Sequence, residues 1–109
     1  MRKDPHVFIE HIKDSIRKLE EYTNGISKED FLINQQLQDA VIRRLEVIGE
    51  AVRNLSDEFR VQVPDIEWKK IAGMRDFLIH EYFGVDLDLV WEVIEKDIPG
   101  LKKELRKIA

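Results

Sequence analysis

The sequence predicts an all-α protein, an antiparallel bundle of four helices, or up to five. Three observations carry that expectation. Apolar residues recur at spacings of three and four along nearly the whole chain, the signature of amphipathic helices. The composition is 43% hydrophobic and 37% charged, which suits helices with one wet and one dry face. Only 5 Gly and 3 Pro punctuate 109 residues, too few for a turn-rich β fold. That length supports one hydrophobic core and not two, so residues 1–109 are expected to form a single domain.

The first helix is expected to start with Asp4 as N-cap and Pro5 at the first helical position, where its missing N–H costs nothing. It buries Phe8, Ile12, Ile16 and Leu19 and stops at Asn24-Gly25, since glycine readily adopts the left-handed conformation that ends helices. A second helix begins at Ser27, with Asp30 in the place of the capping-box acid. Its stripe of Leu37, Val41, Leu45, Ile48, Val52, Leu55 and Phe59 keeps spacings of three and four, predicting one long helix that ends before Pro64. The third starts near Asp65 to Glu67, presents Trp68, Ile71, Met74 and Leu78, and reaches Gly84. The fourth opens at Asp86 or Asp88 and carries Val90, Ile94, Ile98, Leu101, Leu105 and Ile108. Pro99 interrupts it, and because the apolar spacing continues across the proline a kinked helix or two abutting helices is expected.

Charge and composition narrow the function classes. The absence of cysteine removes disulfides and thiolate chemistry. No apolar run approaches membrane-spanning length and Met1-Arg2-Lys3-Asp4 does not open a signal-type segment, so a soluble cytoplasmic protein without membrane partners is expected. A net charge of -4 is unlike the basic excess with which nucleic-acid binders release counterions, and there is no basic tail. Contact with RNA therefore has to be local, through a small cleft. His6 and His11 read as surface residues; their separation of five does not align them for a metal and Glu10 does not rescue the pattern, so no metal site is expected.

The segment Arg75-Asp76-Phe77-Leu78-Ile79-His80-Glu81-Tyr82 holds the one histidine outside the amino-terminal region. Imidazole moves protons near neutral pH, guanidinium holds a phosphate oxygen bidentately, and a phenol can position either. These are side chains suited to cleaving a phosphodiester without a metal. They also have structural readings: His80 as a packed or capping residue, Arg75 paired with Asp76 or Glu81, Tyr82 as a core ring with a wet hydroxyl. At about 100° per residue, Arg75 and Tyr82 lie roughly 20° apart on a helix while His80 points some 140° from Arg75. One straight helix cannot bring all three to one substrate. Either the helix distorts towards Gly84, or a second copy completes the site across a two-fold axis, and a homodimer is the favoured expectation.

The segment Ile66 to Tyr82, with Trp68, Ile71, Gly73-Met74-Arg75-Asp76 and His80-Glu81-Tyr82, resembles the signature of the HepT-like branch of the HEPN ribonuclease superfamily, which is arginine, four residues, histidine, one residue, tyrosine. Arg43-Arg44-Leu45-Glu46-Val47-Ile48-Gly49-Glu50-Ala51 resembles that family's long second helix, and Val85-Asp86, Trp91 and Asp97-Ile98-Pro99 resemble its tail. The resemblance covers nearly the whole chain. It implies an all-helical homodimer whose paired motifs form an RNA-cleaving cleft. It also implies a toxin of a type VII-like toxin–antitoxin pair, opposed by a minimal nucleotidyltransferase antitoxin that silences it by AMP transfer to the motif tyrosine. Carried over by position, Arg75 and His80 are catalytic, Asp76 fills the polar place after the arginine, and Tyr82 is both a supporting residue and the AMPylation target. No cofactor is implied. His80 would take the 2′-hydroxyl proton or protonate the leaving 5′-oxygen, with the second subunit's copy available for the other role, and Arg75 would stabilise the phosphorane-like transition state.

A second class stays open: a non-catalytic dimeric partner or substrate-binding subunit of a nucleotidyltransferase, with Tyr82 only an acceptor. Arg43, Arg44, Glu46, Glu50 and Arg53 make a charged face on the second helix, read either as solvation with helix-side pairing or as the lining of a dimer cleft or antitoxin surface. Lys102, Lys103, Arg106 and Lys107 form a basic end to the last helix, explained by the helix dipole.

Overall fold

The computed structural model describes residues 4–80 and 86–108, and within these the side chains of 75–80 are excluded. The described residues contain helices and no strands, which makes the protein an all-α bundle. In chain order the elements are α1 (Pro5–Thr23), α2 (Lys28–Leu32), α3 (Gln35–Arg53), α4 (Asp57–Val61), α5 (Trp68–His80), α6 (Leu87–Glu92), a π-helical turn (Val93–Asp97) and α7 (Ile98–Leu105). Helix α3 is the axis of the bundle, packed along both α1 and α5, while α7 closes against α1.

Helix α1 starts as its sequence demands. Asp4 caps it, its carboxylate accepting the His6 backbone N–H at 2.9 Å, with Pro5 in the first turn. It ends where Gly25 takes a φ of 73°, a conformation that a residue with a Cβ rarely adopts. Ile12, Ile16 and Leu19 are buried as expected, but Phe8 is only partly buried and its neighbour Ile9 takes the core position. The correction is one of helix phase. Rotating the stripe to centre on Ile9, Ile12, Ile16 and Leu19 also draws Ser15 into the core.

The long second helix expected from Ser27 to before Pro64 is instead three helices. The capping box at its start is present: Ser27 Oγ accepts the Asp30 N–H at 3.1 Å and the Asp30 carboxylate accepts the Ser27 N–H at 3.3 Å. The first break comes at Ile33–Asn34, where Asn34 Oδ1 accepts the Leu37 N–H at 3.0 Å and founds a new helix. The second comes at Asn54–Ser56, where Ser56 Oγ accepts the Phe59 N–H at 3.1 Å. Asparagine and serine offer the backbone a partner outside the helical ladder, so each can stop one helix and cap the next without changing the apolar spacing. Gln38 Nε2 then donates to the Phe31 and Leu32 carbonyls at 2.9 and 3.2 Å, partnering the acceptors that the end of α2 leaves open.

Breaking α2 away from α3 lets Phe31 turn inward. Phe31 is fully buried and meets Trp91 of α6 at a centroid distance of 5.2 Å, and Lys28 pairs with Asp88 at 2.9 Å. Asp86 caps α6 by accepting the Leu89 N–H at 3.1 Å. The tail follows the expected single path across Pro99: the apolar residues Val90, Ile98, Leu101 and Leu105 are buried. The π-helical turn just before the proline widens the ladder where the ring cannot donate, which is how the interruption is absorbed. Lys102 Nζ reaches Glu20 at 2.6 Å and ties α7 to α1.

Candidate functional site

The motif helix α5 is anchored at its start. Trp68 is buried, and its indole N–H is shared between the Arg60 and Val63 carbonyls at 3.1 and 3.0 Å. Its ring sits 6.3 Å from that of Phe59. Arg60 in turn donates through Nη2 to the Val52 carbonyl at 2.7 Å. Short α4 is therefore a bracket: it holds the end of α3 with one side chain and the first residue of α5 with a main-chain oxygen. Along its length α5 packs on α3, whose contribution to the core includes Leu45, Ile48, Val52 and the buried Gly49. On its outer side Lys70 reaches Asp97 at 3.1 Å and Glu67 at 3.7 Å. The Asp97 carboxylate raises the Lys70 ammonium above its ordinary pKa, first by hydrogen bonding and then by charge, with Glu67 adding to it.

Of the expected site residues, Arg75, Asp76 and His80 belong to α5, and their side chains lie outside those described; Tyr82 lies outside the described residues altogether, as do Glu81 and Gly84. The backbone itself carries information. It is one uninterrupted α-helix from Trp68 to His80, so a bend between Arg75 and His80 does not reduce the roughly 140° by which the helix turns from one to the other.

The charged face of α3 is resolved in part. Arg43 and Glu46 approach to 3.8 Å one turn apart, the helix-side pairing expected of a solvated face. Near it, His11 stands with its ring edge-on to Phe8 at 6.4 Å, and His6 Nδ1 lies 2.9 Å from Asp4 Oδ1. Among the described residues no group of three His, Cys, Asp or Glu side chains is placed to hold a metal ion, and no described helix is long and apolar enough to cross a membrane. The reading from sequence did not foresee the bracket made by Arg60 and Trp68 or the Lys70–Asp97 pair. Only the tryptophan within the motif segment signalled the first.

Comparison with known proteins places this arrangement. Residues 12–108 match the profile described as Ribonuclease HepT-like. The chain is 50% identical over 106 residues to a protein of Caldanaerobacter subterraneus subsp. tengcongensis named as a candidate RNase, covering 97% of this chain and 95% of that one. It is 44% identical over 108 residues to the probable ribonuclease HepT of Thermococcus cleftensis, covering 99% of this chain and 98% of that one. A Methanocaldococcus jannaschii protein named as a gamma-glutamylcyclotransferase and candidate RNase is 56% identical over 108 residues, 99% of this chain, which spans 49% of that protein's length. No solved structure matches the chain.

Proposed function

Because this chain belongs to the HepT-like ribonuclease family, we propose that it is an endoribonuclease, the toxin of a toxin–antitoxin pair, which cleaves RNA in a cleft shared by two copies of itself. The observation that carries the shared cleft is the unbroken helix from Trp68 to His80. Five residues of α-helix, the separation of Arg75 and His80, turn by about 140°. A second α5 brought up by a two-fold axis supplies the missing direction, arginine of one copy meeting histidine of the other.

The chemistry needs no metal. His80 as free base takes the 2′-hydroxyl proton, the 2′-oxygen attacks the adjacent phosphorus, and the P–O5′ bond breaks to leave a 2′,3′-cyclic phosphate and a 5′-hydroxyl, whose proton comes from water. Arg75 donates to the non-bridging oxygens, whose charge grows as phosphorus becomes five-coordinate. Asp76 supports the arginine, and Tyr82 positions the phosphate. The same phenol is the off switch. A minimal nucleotidyltransferase partner transfers AMP from a nucleoside triphosphate to Tyr82 with release of pyrophosphate, and the added phosphate anion and adenosine repel and block an RNA strand.

The overall charge of -4 limits any hold on RNA to a weak, local one; the rival reading is a non-catalytic nucleotidyltransferase partner. The deciding experiment incubates the purified chain and its His80→Ala variant with short RNA in EDTA, after mass spectrometry has shown Tyr82 free of AMP. Cleavage to cyclic-phosphate ends by the wild type and not by the variant is expected. An unmodified wild type that leaves RNA intact would favour the partner reading instead.

A further inference from the structure

A groove of about 720 Å³ runs between α5 on one side and α6, the π-helical turn and α7 on the other. Its floor is core: Leu45, Val90 and Leu101 are buried beneath it. Its walls are the partly buried apolar side chains of Ile71, Met74 and Val93. Each wall also carries a glycine, Gly73 and Gly100, and a Cβ built at either meets nothing within 4 Å among the described residues. Both glycines leave width at the mouth of the groove. Glycine inside a helix is unfavourable relative to alanine, so the width is held at some cost to the helices.

The rim is strongly acidic. Among the described residues, Asp65, Glu67, Glu92, Asp97 and Glu104 line the groove with two cations, Lys70 and Lys96. Both lysines are already engaged, Lys70 with Asp97 and Glu67 and Lys96 with Glu92 at 3.3 Å, and Glu104 is paired outside the groove with Lys107 at 3.1 Å. An apolar trough with a rim of excess carboxylate selects its occupant by charge. RNA is repelled, since its phosphates would face carboxylates. A second copy laying the same groove against itself would bring acid to acid. We propose that this groove is a docking site for a cationic amphipathic helix of a protein partner, its apolar stripe lying in the trough and its flanking lysines or arginines reaching the rim.

This goes beyond the ribonuclease reading and does not depend on it. The test uses the full chain and fluorescence anisotropy with a labelled peptide of about 18 residues, five turns of helix, with leucines at spacings of three and four and lysines elsewhere. A glutamate counterpart and a scrambled peptide of the same composition are the controls. Binding of the leucine–lysine helix alone is expected, weakening as salt rises. Gly100→Trp, which fills the trough, and Glu92→Lys, which alters an exposed rim charge, should each weaken it by about tenfold or more, close to 1.4 kcal/mol. Glu92→Lys keeps the test open should tryptophan at 100 impair folding. Equal binding of the glutamate or scrambled peptide, no binding of the lysine peptide, or insensitivity to both substitutions would overturn the proposal. So would a fall in solution mass on Gly100→Trp with peptide affinity unchanged, which would make a second copy the occupant.

Discussion

Lys70 Nζ stands 3.1 Å from Asp97 Oδ1, joining the motif helix α5 to the π-helical turn across 27 residues of sequence. This pair holds one wall of the groove to the other at the place where the tail helix is least regular. Both partners are accessible, so it acts more as a positional tie than as a large source of stability.

The tie has a definite pH signature. The folded-state pKa of Lys70 is raised above the ordinary 10.5 by Asp97, so its contribution is fully present below the unfolded lysine value and is lost as pH rises through the folded one. A Lys70→Gln variant should show a constant stability deficit from neutral pH to about 10, closing in more alkaline solution. Urea titrations of both proteins across that range measure it; a deficit that persists unchanged in alkaline solution would show a different cause.

Trp68 is expected to matter beyond its bulk. Replacement by phenylalanine keeps much of the ring but removes the indole donor from the Arg60 and Val63 carbonyls, each of which also accepts a backbone N–H, at about 0.5–1.5 kcal/mol. Replacement by alanine should cost about 3–5 kcal/mol. Denaturant midpoints report both.

The cap at Asn34 makes a sharper claim about topology. If its carboxamide founds α3, Asn34→Ala should destabilise the protein by about 0.5–2 kcal/mol while Asn34→Ser or Asn34→Asp costs much less. Equal losses for all three substitutions would mean that the break is imposed by the packing of Phe31 alone.

Gly100 should accept a methyl group. Because a Cβ there meets nothing within 4 Å among the described residues, Gly100→Ala is expected to stabilise the protein by about 0.4–1 kcal/mol by restricting the unfolded chain. A thermal midpoint that falls would show that the groove wall depends on the glycine.

The two-copy cleft can be tested by complementation. Arg75→Ala is expected to lower the cleavage rate by about 10² to 10³, and His80→Ala to abolish most of it. Mixing the two inactive variants and allowing subunits to exchange should restore up to about a quarter of wild-type activity, since half the dimers are mixed and each mixed dimer holds one intact arginine–histidine pair. If equilibrated mixtures that contain mixed dimers stay inactive, this pairing is wrong.

Much of this protein is written locally. Asp4 and Pro5 begin α1 and Gly25 ends it; Ser27 with Asp30 makes a capping box; Asp86 starts the tail, and the apolar residues of the last helix keep one face through Pro99. These are signals whose physics lies within four residues, and they sufficed for the all-α class. The spacing of Arg75, His80 and Tyr82 was equally legible, and so was the angular problem that it poses.

What required the tertiary structure was the choice among locally permitted alternatives. Spacings of three and four continue from Leu37 to Phe59 whether or not the helix breaks, so periodicity could not separate α2, α3 and α4. Asn34 and Ser56 became caps because the breaks let Phe31 reach Trp91 and let Arg60 hold Val52 while its carbonyl receives Trp68. The same holds for Ile9, buried in place of Phe8 because α3 and the tail fix the phase of α1. Sequence determined which helices can form and where they can be capped, since those energies are short-range. Only the packed chain decided which caps are used and which wall faces which, because the contacts that decide it join residues far apart in sequence.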